Sequence, residues 1–116
     1  MTGDTRTDLV HELTLFRRGA LRANGMSMLG AVLAEEQEMP ELLELFRQHV
    51  VTPRRENLRR ILRDGVAHGQ VRSDADLELG ITMMVGSLYA LYVAGRRVSA
   101  AWPARVVDAW LEANRA

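Results

Sequence analysis

The chain has no cysteine, so disulfides and thiolate metal sites are excluded and a reducing compartment is compatible. It has no lysine; all fifteen basic residues are arginine, against fifteen acidic ones. A domain that binds nucleic acid unaided usually carries a basic excess, so this balance counts against DNA binding by the chain alone. Three prolines and scattered glycines punctuate the sequence, while β-branched runs and two-residue alternation are nearly missing, which argues against strands. Met1 to Arg6 is polar and has no apolar core, so no signal peptide is expected. The 116 residues, 47% hydrophobic and 26% charged, suit one folded domain rather than a disordered chain.

The punctuation sets out an all-helical bundle of five to six helices. The first is expected from about Thr7 to Arg22, capped by Thr5 or Thr7, with Leu9, Leu13, Phe16 and Ala20 on one stripe and Asn24-Gly25 as its stop. A second, about Ser27 to Glu38, is apolar nearly all round at its start (Met26, Met28, Leu29, Ala31, Val32, Leu33) and polar at its end. Its first half therefore reads as buried. Pro40 opens the next, with Leu42, Leu43, Phe46, Val50 and Val51 inward. Thr52-Pro53 either kinks that helix or starts another, and Leu58, Ile61, Leu62 and Val66 carry the stripe on to a cap at His68-Gly69. Ser73 and Asp76 resemble a capping box before a helix of about Asp74 to Ala94, and the last helix is expected over about Ala101 to Ala113.

Residues 79–95 contain no charge. A membrane span needs about 20 predominantly apolar residues. This stretch is shorter and holds Gly80, Thr82, Gly86 and Ser87, so a helix buried on every side is the better reading. Leu79, Met83, Gly86, Ala90 and Val93 form one stripe; Leu77, Ile81, Met84, Leu88 and Leu91 form another. One side then belongs to the chain's own core and the other to a second subunit, with Val106 and Trp110 of the last helix beside it. Trp110 is read as an interface anchor; Trp102 fits core or interface equally. A twofold homodimer pairing the last two helices as a four-helix bundle follows.

Several segments in order resemble the C-terminal domain of TetR-family transcriptional regulators: Met39-Pro40-Glu41-Leu42, Val51-Thr52-Pro53-Arg54-Arg55, Gly69-Gln70-Val71-Arg72, Met84-Val85-Gly86-Ser87-Leu88-Tyr89 and Val93-Ala94-Gly95. The likeness runs from about Leu9 to Leu111 and rests on order and spacing, not on one motif. It implies a dimeric, cytoplasmic bacterial repressor whose helical domain holds a small-molecule effector and the dimer interface. An N-terminal helix-turn-helix, with no counterpart in this sequence, would read operator DNA. The chain is accordingly expected to be the regulatory fragment of such a protein, with a naturally headless form as the alternative.

Specific chemistry is sparse. His11, His49 and His68 form no close pair, and no HExxH or Glu-x-x-His pattern occurs, so no metal or other cofactor is expected. Glu35, Glu36, Glu38, Glu41 and Glu44 read as a solvated stretch, and Arg54, Arg55, Arg59, Arg60 and Arg63 as a face engaged in ion pairs rather than in phosphate contacts. No nucleophile-base set or glycine-rich phosphate loop points to an enzyme. Methionine adapts to irregular apolar ligands. Met26, Met28, Leu29, Phe46, Met83, Met84, Ser87 and Tyr89 are therefore the candidate effector-binding residues, apolar walls with a few polar tips. The competing readings are a helical interaction module that docks a different protein through the uncharged helix, and a small helical enzyme with a buried polar site.

Overall fold

A computed structural model describes all residues, 1–116. It contains helices α1 (Thr5–Leu21), α2 (Gly25–Ala34), α3 (Pro40–Phe46), α4 (Thr52–Ala67), α5 (Leu77–Val93) and α6 (Trp102–Asn114), and no strand. One antiparallel bridge pair, Val71 with Arg115, ties the α4–α5 link to the C-terminus. No helix is long and apolar enough to cross a membrane.

α3 and α4 are one rod. Arg47–Val51 between them is π-helical, and the Thr52 N–H donates to the carbonyl of Arg47, five residues back. Proline inside an α-helix loses a hydrogen bond and presses its ring on the carbonyl four residues earlier. The wide turn directly before Pro53 absorbs that misfit, so the chain neither breaks nor restarts at Thr52.

The caps differ from expectation by one to three residues. Asp4, not Thr5 or Thr7, caps α1 by accepting from the Thr7 N–H at 2.9 Å, because a carboxylate at that position reaches the first free donors and favours the positive end of the helix dipole. Asp76 itself caps α5, accepting from the Leu79 N–H at 3.0 Å; it does not serve as the third residue of a box begun by Ser73. Asn24-Gly25 does not stop α1: Gly25 opens α2, where a side chain would collide with the Gly19 and Ala20 carbonyls. Gly69 and Gly95 do take the left-handed conformation, at φ +74° and +72°, and let Gln70 and Arg96 donate back to Gly65 and Leu91.

α1 packs against α2, α4 and α6, while α5 lies against α4 and α6. Fourteen residues make the core, including Leu9 and Leu13 from α1, Leu58 and Leu62 from α4, Ile81, Met84 and Leu88 from α5, and Val107, Trp110 and Leu111 from α6. α2 departs from its reading as half-buried. It packs mainly against α1 and α3, no residue of it is fully buried, and Met28 is 50% exposed.

Ion pairs lace the helices together. Glu12 of α1, nearly buried, accepts from Arg54 Nη1 at 2.7 Å and Asn57 Nδ2 at 3.1 Å on α4. Arg6 Nε reaches Asp108 of α6 at 2.6 Å.

Gly80 marks the tightest approach between α5 and α6: a Cβ there would lie 2.6 Å from the Trp110 ring. Gly80→Ala should therefore destabilise the protein by about 1–3 kcal/mol through overpacking. Gly19→Ala, in open space on α1, should gain up to about 1 kcal/mol from helix propensity. Urea unfolding of the two variants beside the parent checks the opposite signs.

Candidate functional site

α5 presents two unlike sides. Ile81, Met84 and Leu88 are fully buried, with Leu77 and Leu91 partly covered beside them. On the other side Leu79 is 53% exposed, Met83 56% and Val93 82%, and Ala90 is also open. Gly86 lies on this side too, and nothing stands within 4 Å of where its Cβ would be. Val106 of α6 is half-buried. Trp110, read as an interface anchor, belongs instead to the protomer's own core: 8% of it is exposed and its ring covers Gly80. Trp102 is likewise a core residue, tilted against Phe16 with ring centroids 6.3 Å apart.

The eight candidate effector residues fall into different settings. Met84 is wholly enclosed in the core and Met26 packs against it from α2, whereas Met28 and Met83 face solvent. Leu29 and Phe46 are half-buried. Tyr89 meets Phe16 edge to face at 5.7 Å, and burial raises its phenol pKa. Ser87 is held at both ends: its hydroxyl donates to the Met84 carbonyl at 2.8 Å and accepts from Trp102 Nε1 at 2.9 Å. Of the eight, Ser87 alone lines the cleft of about 620 Å³ between the end of α5 and the start of α6.

That cleft is also lined by Arg96, Arg97, Ser99, Trp102 and Arg105, none of which sequence reasoning placed in a site. The available signal was the Arg96-Arg97 doublet directly after an uncharged helix. Arg105 gives no such hint, because its approach depends on how α6 folds back.

On the basic face of α4, Arg54, Arg55 and Arg59 form ion pairs, whereas Arg60 donates to the Asn57 amide and Arg63 pairs with no carboxylate. Arg59 grips Glu78 of α5 with both arms of its guanidinium, at 2.6 and 2.7 Å, and also meets Glu56 on its own helix. Arg55 reaches Glu78 at 3.6 Å and donates to Thr82 Oγ1 at 3.1 Å. The bidentate hydrogen bonds hold the Glu78 carboxyl below its ordinary range and raise the Arg59 guanidinium. The three histidines are exposed; His68 Nδ1 lies 2.9 Å from the Asp64 carbonyl. The acidic residues Glu35, Glu36, Glu38, Glu41 and Glu44 all lie in solvent. No three His, Asp or Glu side chains converge as a metal site would require.

Helix order, the continuous α3–α4 rod and the two-sided penultimate helix make an all-helical domain with one open apolar side. Residues 1–110 match the family described as tetracyclin repressor-like, C-terminal domain, and the chain belongs to that family. Its fold also matches the crystal structure of the TetR family transcription regulator SCO0332, at a TM-score of 0.82 and 27% sequence identity over 96% of this chain. The chain spans 62% of the length of that regulator. No curated protein matches the sequence. The family is one of transcription regulators and is generally not enzymatic.

Because the Glu78 pKa is depressed on folding, the stability it contributes is present above the ordinary glutamate value of about 4.3. It is lost as the pH falls through the lower folded value. Glu78→Gln should flatten this part of the acid dependence, read as the urea midpoint between about pH 5 and pH 2.

Proposed function

We propose that this chain is the dimer-forming, effector-responsive domain of a TetR-like repressor that works in the cytoplasm. In the whole protein a helix-turn-helix head N-terminal to it reads the operator. The observation that carries this reading is the outward side of α5. Leu79, Met83, Ala90 and Val93 stand open on a helix whose opposite side is fully packed, and Gly86 offers room for close helix approach.

A second copy is the simplest cover. Burying Val93 from each of two copies would contribute roughly 1.5–3 kcal/mol, and Leu79 and Met83, already about half covered, about half that apiece. That is of the size needed to offset the about 4–15 kcal/mol that association costs. With Val106 at the margin, α5 and α6 of two copies would form a four-helix bundle about a twofold axis.

The effector then acts by population shift: it binds one helix arrangement better than another and so biases the spacing of the two DNA-reading heads. Met26, Leu29, Phe46 and Tyr89 are the partly covered candidates for its contacts. Tyr89 adds a half-buried hydroxyl beside the Phe16 ring.

Light scattering coupled to size exclusion tests the dimer. The parent chain should run at twice its 13.0 kDa mass. Met83→Glu, which would place unpaired charge in the seam, should weaken association at least about a hundredfold with an unchanged far-ultraviolet dichroism spectrum. A monomeric parent at high concentration would remove the dimer and favour docking of a different protein. In a thermal-shift screen with apolar and aromatic compounds, Tyr89→Phe should reduce the shift given by a binding phenol while leaving the unliganded midpoint nearly unchanged. Equal loss of both would mark Tyr89 as a packing residue.

A further inference from the structure

The cleft between α5 and α6 is charged with one sign. Arg96, Arg97 and Arg105 line it and no carboxylate does. None of the three has a carboxylate within ion-pair distance or makes a side-chain hydrogen bond, whereas Arg6, Arg47, Arg54, Arg55, Arg59 and Arg72 are all paired. The chain has as many acids as arginines, so three uncompensated guanidinium groups around one concavity are a local excess and not a general one. The other sizeable cleft, beside Arg60 and Arg63, carries its own carboxylates, Glu56 and Asp64.

The frame that holds these arginines is fixed. Gly95 caps α5 in the left-handed conformation, with the Arg96 N–H donating to the Leu91 carbonyl at 2.9 Å. Val98 is buried, and its carbonyl accepts from Arg17 Nε of α1 at 3.0 Å. The Trp102 N–H donates to the Ser99 carbonyl at 3.0 Å. On the floor, Ser87 and Trp102 satisfy each other, which leaves the guanidinium groups and the Ser99 hydroxyl as the free donors. Leu91 and Val106 add apolar wall. About 620 Å³ is within the range of small-molecule sites, and guanidinium is the side chain best matched to an oxyanion, which it holds through two parallel hydrogen bonds.

We propose that this cleft binds a small organic oxyanion, a phosphate or carboxylate held by Arg96, Arg97 and Arg105, with a compact apolar body against Leu91 and Val106. The site's lining comes from one chain, although Ala90 and Val106 border both the cleft and the proposed seam.

Isothermal titration at low ionic strength tests it, with phenyl phosphate, benzoate and inorganic phosphate as probes. The parent and Met83→Glu should each bind phenyl phosphate or benzoate saturably, one per chain, with a change in tryptophan emission from Trp102. The organic probe should bind at least about threefold tighter than inorganic phosphate, and the comparison of phenyl phosphate with benzoate assigns the headgroup. The triple variant Arg96→Gln, Arg97→Gln, Arg105→Gln should lose at least about tenfold in affinity, while Arg63→Gln on the α4 face should not change it. All the substituted arginines are exposed, so folding should survive, as a retained dichroism spectrum would confirm. Absence of saturable binding, or equal binding by the triple variant, would overturn the site. Equal affinity for inorganic phosphate would overturn the apolar subsite. Retention of binding by Met83→Glu keeps this outcome separate from the fate of the dimer.

Discussion

The uncharged stretch over residues 79–95 is packed by its own chain on one side and left open on the other. Ile81, Met84 and Leu88 are sealed against α4 and α6, and the seal depends on Gly80, whose missing side chain admits the Trp110 ring. Had Trp110 pointed outward, α6 would lose one of its two tryptophan core anchors. Because it points inward, the outer side of α5 is left with aliphatic and small residues only. That division of labour fixes where α6 lies, and with it where the α5–α6 loop delivers its arginines.

Charge is distributed to support the same arrangement. Glu12–Arg54 joins α1 to α4, Arg59–Glu78 joins α4 to α5, and Arg6–Asp108 joins α1 to α6. The exposed Arg6–Asp108 pair contributes little by itself, whereas Glu12–Arg54 is largely covered. Their placement matters more, since each closes a different helix contact. The guanidinium groups at the α5–α6 corner lie outside that lacing, and the corner stands out because three of them line one cleft that has no carboxylate.

Much of the fold was legible from residue order. Periodic leucines locate α1, α4 and α5, Pro40 locates the start of α3 and Gly69 the end of α4, because proline and glycine act on the backbone whatever surrounds them. The two stripes of α5 could be read as two sides because helical spacing alone decides which residues share one. Errors arose where neighbours in space decide. Asp4 and Asp76 outcompeted nearby hydroxyls as caps, and Gly25 was read as a stop when it serves a close turn into α2. Trp110 was assigned outward because spacing cannot tell which of two apolar sides a partner helix takes. The candidate effector residues scattered between core and solvent for the same reason: a pocket is a convergence of elements, and Arg105 joins Arg96 and Arg97 only after α6 folds back.

The central claim, that an identical chain covers the outer side of α5, can be tested without disturbing the core. The sequence has no cysteine, so Ala90→Cys introduces a single thiol on the open stripe. Under mild oxidation the account predicts a disulfide-linked pair of chains formed in high yield at low protein concentration, with His11→Cys on exposed α1 giving none. Failure of Ala90→Cys and Gly86→Cys alike to cross-link, in a protein that sediments as a single chain, would contradict it.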